Sequence, residues 1–304
     1  MPTAHRNALV LLHVTVFIWG FTGILGKLIQ QPTLHLVYTR TVIGVLGLAA
    51  VALVTRRSLS PRTPGLVNYL LVGLIILGHW ITFYGAIKLN TASIAAACLT
   101  TNTEFTALME PFCFKRRIRT SEVVLGIVVV AALLLIFGLE VQHRLGIAVA
   151  TVSALLSAWF NVVNGVLIKR DNALRIGFYE MVSVVAALAL YGLVTGDLAP
   201  PLWQLPASDI IYQLLLGLVC TTFAFVAGIA VMRQLSPFTV MLTVNLEPVY
   251  TILFALLIWG AEEKLTVGSY LGFALILGCL FVNGWLQRGK RASEVTEPDP
   301  LAQV

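Results

Sequence analysis

Ten stretches of about twenty apolar residues follow one another with very little between them. They fall at about 8–29, 35–55, 66–86, 92–113, 121–139, 145–168, 174–194, 209–231, 237–259 and 267–286. Each is near the ~20 residues a helix needs to cross a bilayer. Apolar residues make up 58% of the chain and charged residues 11%, against ~25% charged in a soluble domain. A water-soluble fold of this composition would lack the polar surface to cover its core. The expected fold class is an all-α membrane protein of ten transmembrane helices, with the lipid bilayer as its main partner. The net charge of +6 would suggest nucleic-acid binding in a soluble chain. Here the basic residues sit in short connectors, where they set topology, so no nucleic-acid partner is expected.

The connectors alternate in charge. Arg6, then Arg56, Arg57 and Arg62, then Lys115, Arg116, Arg117 and Arg119, then Lys169, Arg170 and Arg175, then Arg233, then Arg288, Lys290 and Arg291 share one side. Lys88, Arg144 and Lys264 share the other with Glu140, Asp197, Asp209, Glu262 and Glu263. The positive-inside rule then puts both termini in the cytoplasm of a cell whose inner or plasma membrane holds the chain, a bacterial inner membrane being the expectation. Met1–Asn7 precedes a long apolar segment with no small-residue cleavage site, so that segment reads as a retained first span. Cys98, Cys113, Cys220 and Cys279 fall in or at the ends of apolar runs without metal-ligand spacing. They read as small core residues.

Ten spans divide into five plus five, residues 1–140 and 141–287, followed by a polar tail, 288–304, expected to be disordered. Trp19 and Trp159 stand in the first span of each half, and Ala86–Thr91 matches Ala230–Leu235 in position. Five is odd, so the second copy enters the membrane from the opposite side. Inverted-topology repeats of this kind build alternating-access transporters, with the substrate site near the midplane.

Particular residues carry a family resemblance. Asn245-x-x-Pro248, then Glu263-Lys264-Leu265-Thr266, then Gly272 and Gly278, together with Ala86-Ile87-Lys88-Leu89-x-Thr91-Ala92-Ser93 and Trp19-Gly20, resemble EamA-like members of the drug/metabolite transporter superfamily. The resemblance covers essentially the whole chain. It implies a secondary transporter, with an amino acid or related compound as substrate. Two positions depart from the family pattern: Glu262 replaces the glycine usual before the Glu-Arg-Leu-Thr motif, and a basic run, Lys115–Arg119, stands where the first half would carry its carboxylate.

Ionisable residues inside the membrane are the first functional candidates. Glu247 and Glu104 lie about ten residues from each end of the ninth and fourth spans. If those helices are counterparts, both carboxylates face one central cavity, binding a cationic group of the substrate or carrying a proton. The alternative is structural: a carboxylate bonded to neighbouring Thr or Asn side chains. Glu104 shares a face with Thr101, and Glu247 shares one with Tyr250. Asn245 and Pro248 flank Glu247, and the proline makes the helix a candidate hinge. His79, Trp19, Trp159, Asn161 and Asn164 are further candidates for the cavity or for interhelical packing. Lys27, Arg40 and Glu180 either partner charges in the cavity or anchor span ends. Trp80, Tyr84, Trp259 and Trp285 read as interfacial belt residues, and Gly20, Gly23 and Gly26 as a close-packing stripe.

No phosphate-binding loop, zinc helix or nucleophile elbow is present in the sequence, so the chain is not expected to be an enzyme, and no metal or cofactor is expected. The expected function is secondary transport, with export the expected direction, of a small-molecule substrate through a cavity formed by spans 1, 3, 4, 6, 8 and 9. Spans 5 and 10 would lie at the periphery and could join two copies into a homodimer. The alternative is a channel or scaffold without carrier activity.

Overall fold

The structure is a computed structural model that describes residues 3–61, 65–114, 120–139 and 141–294. Arg62, Lys115, Arg116, Arg117, Arg119, Glu140 and tail residues 295–304 lie outside the described residues. The helices are α1 (Thr3–Leu28), α2 (Thr33–Val54), α3 (Leu66–Leu89), α4 (Ala92–Leu99), α5 (Asn102–Phe114), α6 (Thr120–Leu139), α7 (Arg144–Leu167), α8 (Ala173–Thr195), α9 (Ala207–Leu214), α10 (Ala224–Val231), α11 (Pro237–Val244), α12 (Leu246–Trp259) and α13 (Val267–Glu294). A π-helical segment, Leu215–Phe223, joins α9 to α10. The last helix runs to Glu294, so residues 288–294, assigned to the tail from sequence, are helical.

Helix starts follow side-chain chemistry. Thr91, Asn172 and Ser236 accept from the backbone N–H three residues on, capping α4, α8 and α11. Pro237 occupies the first position of α11, where its missing N–H costs nothing. Gly196, at φ 77°, ends α8 in the left-handed region that favours glycine.

Among the described residues, seven helical stretches are long and apolar enough to cross a membrane. They are α1, α2, α3, α7, α8, the α9–α10 stretch and the α11–α12 stretch. The α4–α5 region is interrupted, and α13 adds a shorter apolar run, Val267–Cys279. The outer surface is greasy: Leu53, Val54, Leu193, Val194 and Leu257 are exposed, whereas Arg40, Asn102, Glu180 and Glu247 are buried. That inversion suits a chain whose surroundings are hydrocarbon.

The two halves pack symmetrically. Counting each interrupted helix as one, α3 packs on α7 and α8, as the π segment and α10 pack on α1 and α2. Similarly α5 packs on α7 as α12 packs on α1, while α2 meets α8, α4 meets α12 and α6 meets α13. Exchanging α1–α6 for α7–α13 returns nearly the same set of contacts, the α3–α4 contact excepted. The correspondence reaches single residues. From 41 to 58 and from 181 to 198 the order of buried, half-buried and exposed positions is identical. A Cβ on Gly73 would lie 2.4 Å from the Glu180 backbone oxygen, and a Cβ on Gly217 would lie 3.0 Å from the Arg40 backbone oxygen. Arg40 and Glu180 therefore occupy equivalent places, each the eighth residue of its helix.

Each end of the bundle is tied by polar contacts. At one end Lys27 donates to Glu263 at 2.7 Å, and Glu263 also accepts from the Ala92 and Ser93 N–H groups at 3.2 and 2.8 Å. A carboxylate at the first N–H groups of α4 complements the helix dipole. Lys27, one of the expected charge partners, is thus held at the bundle end, over the Trp259 ring.

At the other end Asp171 accepts from the Tyr69 hydroxyl at 2.9 Å and from Arg175 at 3.0 and 3.1 Å. Burial works to raise the pKa of this carboxyl. Hydrogen bonds from the Asn172 N–H, Tyr69 and Arg175, with the Arg175 charge, outweigh burial and hold it below the usual range. A folded pKa below the unfolded one gives stability that is present above ~pH 4 and lost as pH falls through the folded value. Asp171→Asn should therefore lower the melting temperature at about pH 7, with the gap to wild type closing below about pH 4. A gap that persists undiminished at about pH 3 would contradict this account of the latch.

Candidate functional site

Two interrupted helices meet at the centre. The α4–α5 break falls at Thr100 and Thr101, whose hydroxyls donate to the Ala97 and Cys98 carbonyls at 2.6 and 2.8 Å. Hydroxyls bonded to nearby carbonyls offer the backbone an alternative to the helical ladder. The α11–α12 break falls at Asn245. Pro248 has no N–H to give the Val244 carbonyl four residues back. The two breaks bind each other: Asn245 Nδ2 donates to Thr103 Oγ1 at 2.8 Å, and Thr103 Oγ1 donates to the Met241 carbonyl at 3.1 Å.

Beside this crossing lies a cavity of about 70 Å³ lined by α1, α2, α3, α7, α10 and the helices on both sides of the two breaks, with Cys220 from the π segment. This adds α2, through Arg40, to the spans expected from sequence. Arg40 is buried, at 2% exposure. Its Nε and Nη2 donate to Thr221 Oγ1 at 3.3 and 2.8 Å, and its Nη1 donates to the Tyr84 hydroxyl. The guanidinium lies 4.1 Å from the Trp80 ring centre, a cation–π geometry. The π segment makes this possible. Thr221 and Thr222 donate to carbonyls five residues back, and Gly44, Gly47 and Gly217 let α2 approach closely. Arg40 is therefore drawn into the cavity and does not reach out to a membrane surface.

Glu247 lines the same cavity, with the Thr22 hydroxyl beside it. Glu247 and Arg40 share this wall with Tyr84 and Cys220. His79 also lines it, with Nδ1 3.0 Å from the Ser153 carbonyl and its ring against Phe160. Trp19 and Asn161 complete the expected residues found on the wall. Asn161 spends its amide on the Ser157 carbonyl at 2.8 Å.

The other candidates lie elsewhere. Glu104 is buried but does not line the cavity. Aligning the two caps, Thr91 and Ser236, sets Asn102 opposite Glu247, and both of these line it. The pairing of Glu104 with Glu247 is thus out of register. Trp159 faces outward at 49% exposure, so it neither lines the cavity nor is buried between helices, against both expectations for it. Trp19 finds a slot at Gly228, whose counterpart in α3 is the bulky Tyr84. Asn245, Pro248 and Thr101 are buried at the breaks and hold them, without lining the cavity. Tyr250 packs on Phe17 at 5.3 Å and against Gly20. Glu180 and Asn164 lie side by side, fully buried, away from the cavity.

Trp80 and Tyr84 are buried in the wall, correcting their reading as interfacial residues. The close-packing reading of Gly20, Gly23 and Gly26 agrees with the structure, because a Cβ there would strike Tyr250, Thr251 and Tyr84 at 2.6, 2.9 and 2.4 Å. Sequence reasoning misses Thr221, Asn102 and the central place of Arg40. An arginine well inside an apolar run is the available signal for the last.

A buried cation and a carboxylate in one small, aromatic-walled space can hold both ends of a zwitterion. Charge-assisted hydrogen bonds are the interaction that such a pair of groups offers. Comparison with known proteins bears on the role of this space. No curated protein matches the chain. A solved crystal structure described only as that of a protein superposes with a TM-score of 0.69 at 18% identity, covering 93% of this chain and 99% of that one. At that identity the likeness shows the fold alone. The model of the EamA-like transporter family matches residues 6–138 and again 144–285. The chain therefore belongs to the EamA-like transporter family, a two-repeat, multi-pass membrane transporter family of the drug/metabolite transporter superfamily.

Proposed function

We propose that the chain is a secondary carrier for small zwitterionic metabolites, amino acids and related compounds, and that it exports them. The observation that carries this reading is the joint presence of Arg40 and Glu247 on one cavity wall. Arg40 takes the substrate carboxylate, Glu247 takes its ammonium group, and Trp19, Phe83 and Phe160 bound the side chain. The space of about 70 Å³ is far below the roughly 300–1,000 Å³ of pockets for drug-sized ligands. The substrate is small, and the two halves must part to admit it.

In this reading the chain has ten spans in two inverted five-helix repeats, with both termini cytoplasmic in a bacterial inner membrane. The symmetric packing supports it, as does the charge alternation of the connectors. The Lys27–Glu263 end is then extracytoplasmic and the Asp171 latch cytoplasmic. Rocking of the halves about the two helix breaks supplies alternating access. The outward faces of α6 and α13, with Val124, Ile127, Leu271 and Leu275 exposed, would receive a second copy in a homodimer.

Thermal stabilisation of the purified protein tests the ligand class. A ligand at about 100 times its Kd stabilises by ~2.7 kcal/mol. L-Amino acids should raise the melting temperature, while a matched amine or carboxylic acid alone should not. Equal shifts from the monofunctional compounds would contradict the two-charge site.

A further inference from the structure

A second buried carboxyl remains outside the cavity. Glu180, at 0% exposure, lies beside Asn164, also at 0%. Neither Glu180 oxygen has a hydrogen-bond partner within bonding geometry among the described residues, and neither does the Asn164 amide. Among the described residues the helices packed on α8 form no ion pair with Glu180, and Arg175, on α8 itself, is bonded to Asp171. Of those helices, α2 carries His35, Tyr38 and Arg40, α3 carries Tyr69, His79, Tyr84 and Lys88, and α10 carries no titratable group. From α7, whose titratable residue is Arg144 at its far end, Asn164 is the group that reaches the carboxyl. A bare carboxylate in such a place is far costlier than a neutral acid.

Glu180 is also the counterpart of Arg40. The contacts of Gly73 with Glu180 and of Gly217 with Arg40 mirror each other, as do the burial patterns that follow the two residues. One half presents a cation to the cavity, and the other hides a carboxyl at the equivalent place. When an inverted pair of repeats exchanges conformations, each takes up the arrangement of the other.

We propose that Glu180, with Asn164, is a proton-binding site that meets the cavity only when the two repeats have exchanged their arrangements. There water reaches the carboxyl and it releases its proton to the cytoplasmic side. To return to the present arrangement, Glu180 must take a proton back from that same side. No net proton crosses the membrane through this residue. Cytoplasmic acidity instead sets how readily the empty carrier resets. The inference rests on the alternating-access reading given above.

Two measurements test it. The first is infrared spectroscopy of the purified protein at neutral pH. Wild type should show a protonated-carboxyl stretching band that Glu180→Gln loses, and this isosteric variant should melt within about 2 °C of wild type, since one neutral group replaces another. The second is labelling of Arg40→Cys and Glu180→Cys, each in a background with Cys98, Cys113, Cys220 and Cys279 replaced, by a membrane-impermeant thiol reagent. Oriented vesicles expose one face at a time. Arg40→Cys should react at least about tenfold faster from the extracytoplasmic face, and Glu180→Cys at least about tenfold faster from the cytoplasmic face.

An unchanged carboxyl band in Glu180→Gln would overturn the proposal. So would labelling of both positions from one face, or no labelling of a Glu180→Cys variant that keeps the wild-type melting temperature. These outcomes are separable from the carrier reading. Wild-type counterflow with one-sided labelling removes the proton site alone, and absent counterflow with two-sided labelling removes the carrier alone.

Discussion

Arg40→Gln is expected to lower the initial rate of amino-acid transport about 100-fold, with little change in melting temperature. Hydrogen bonds to a charged group contribute ~1.5–3 kcal/mol each, and tenfold in binding is ~1.4 kcal/mol. Losing the cation that receives the substrate carboxylate therefore costs about two powers of ten. Stability should hold because glutamine removes a buried charge along with its bonds to Thr221 and Tyr84. Arg40→Lys separates charge from shape. Lysine keeps the charge but loses the planar fork that addresses Thr221 and Tyr84 together, so it should recover only part of the rate. Rates measured on reconstituted variants decide the matter. A glutamine variant that transports within about threefold of wild type would place the carboxylate elsewhere.

Gly73→Ala should have the largest effect on folding. A Cβ there would meet the Glu180 carbonyl oxygen at 2.4 Å and Ser183 Cβ at 2.6 Å. The first is backbone and cannot swing aside, so α3 and α8 must separate. Overpacking costs ~1–3 kcal/mol, occasionally more, and the melting temperature should fall by about 5–10 °C. Gly85 lies on the same helix, and a Cβ added there would meet nothing within 4 Å. Gly85→Ala should be neutral or stabilising by up to ~1 kcal/mol, because alanine is the better helix former. Differential scanning fluorimetry of the two variants in detergent makes the comparison. Equal behaviour would mean that the α3–α8 contact is looser than described.

Much of the architecture is legible in the sequence because bilayer crossing imposes a length and the connectors carry charge. The runs of apolar residues anticipate α1–α3, α7 and α8 closely, and Asn245 with Pro248 announces the break between α11 and α12. The finer site is less legible, and the reasons are physical. Glu104 looks like the mirror of Glu247 because both are acidic and of similar depth. Register is set instead by the caps Thr91 and Ser236, which pair Glu247 with Asn102. Trp19 and Trp159 match in sequence, but their environments diverge at Gly228 and Tyr84, which only packing reveals. Trp80 and Tyr84 carry the composition of a membrane-interface belt. They are buried inside the bundle against Phe225, Phe83 and Gly26, and Arg40 reaches both from α2. The π segment has no hydrophobic period of its own. The paired Thr221 and Thr222, beside Gly217, mark it only once their bonds to carbonyls five residues back are seen. Arg40 itself is visible as a charge inside an apolar run, yet snorkelling and cavity placement look alike until a partner helix is in place.

The central claim is that one chain carries a small zwitterion by alternating exposure of the Arg40–Glu247 cavity. Counterflow in proteoliposomes tests it most directly. Vesicles loaded with an unlabelled amino acid that stabilises the protein are diluted into labelled amino acid, and uptake is followed over time. The account predicts a transient accumulation above equilibrium that saturates with concentration, persists without an imposed gradient and is abolished in Arg40→Gln. Uptake that rises linearly with concentration and never overshoots would contradict it.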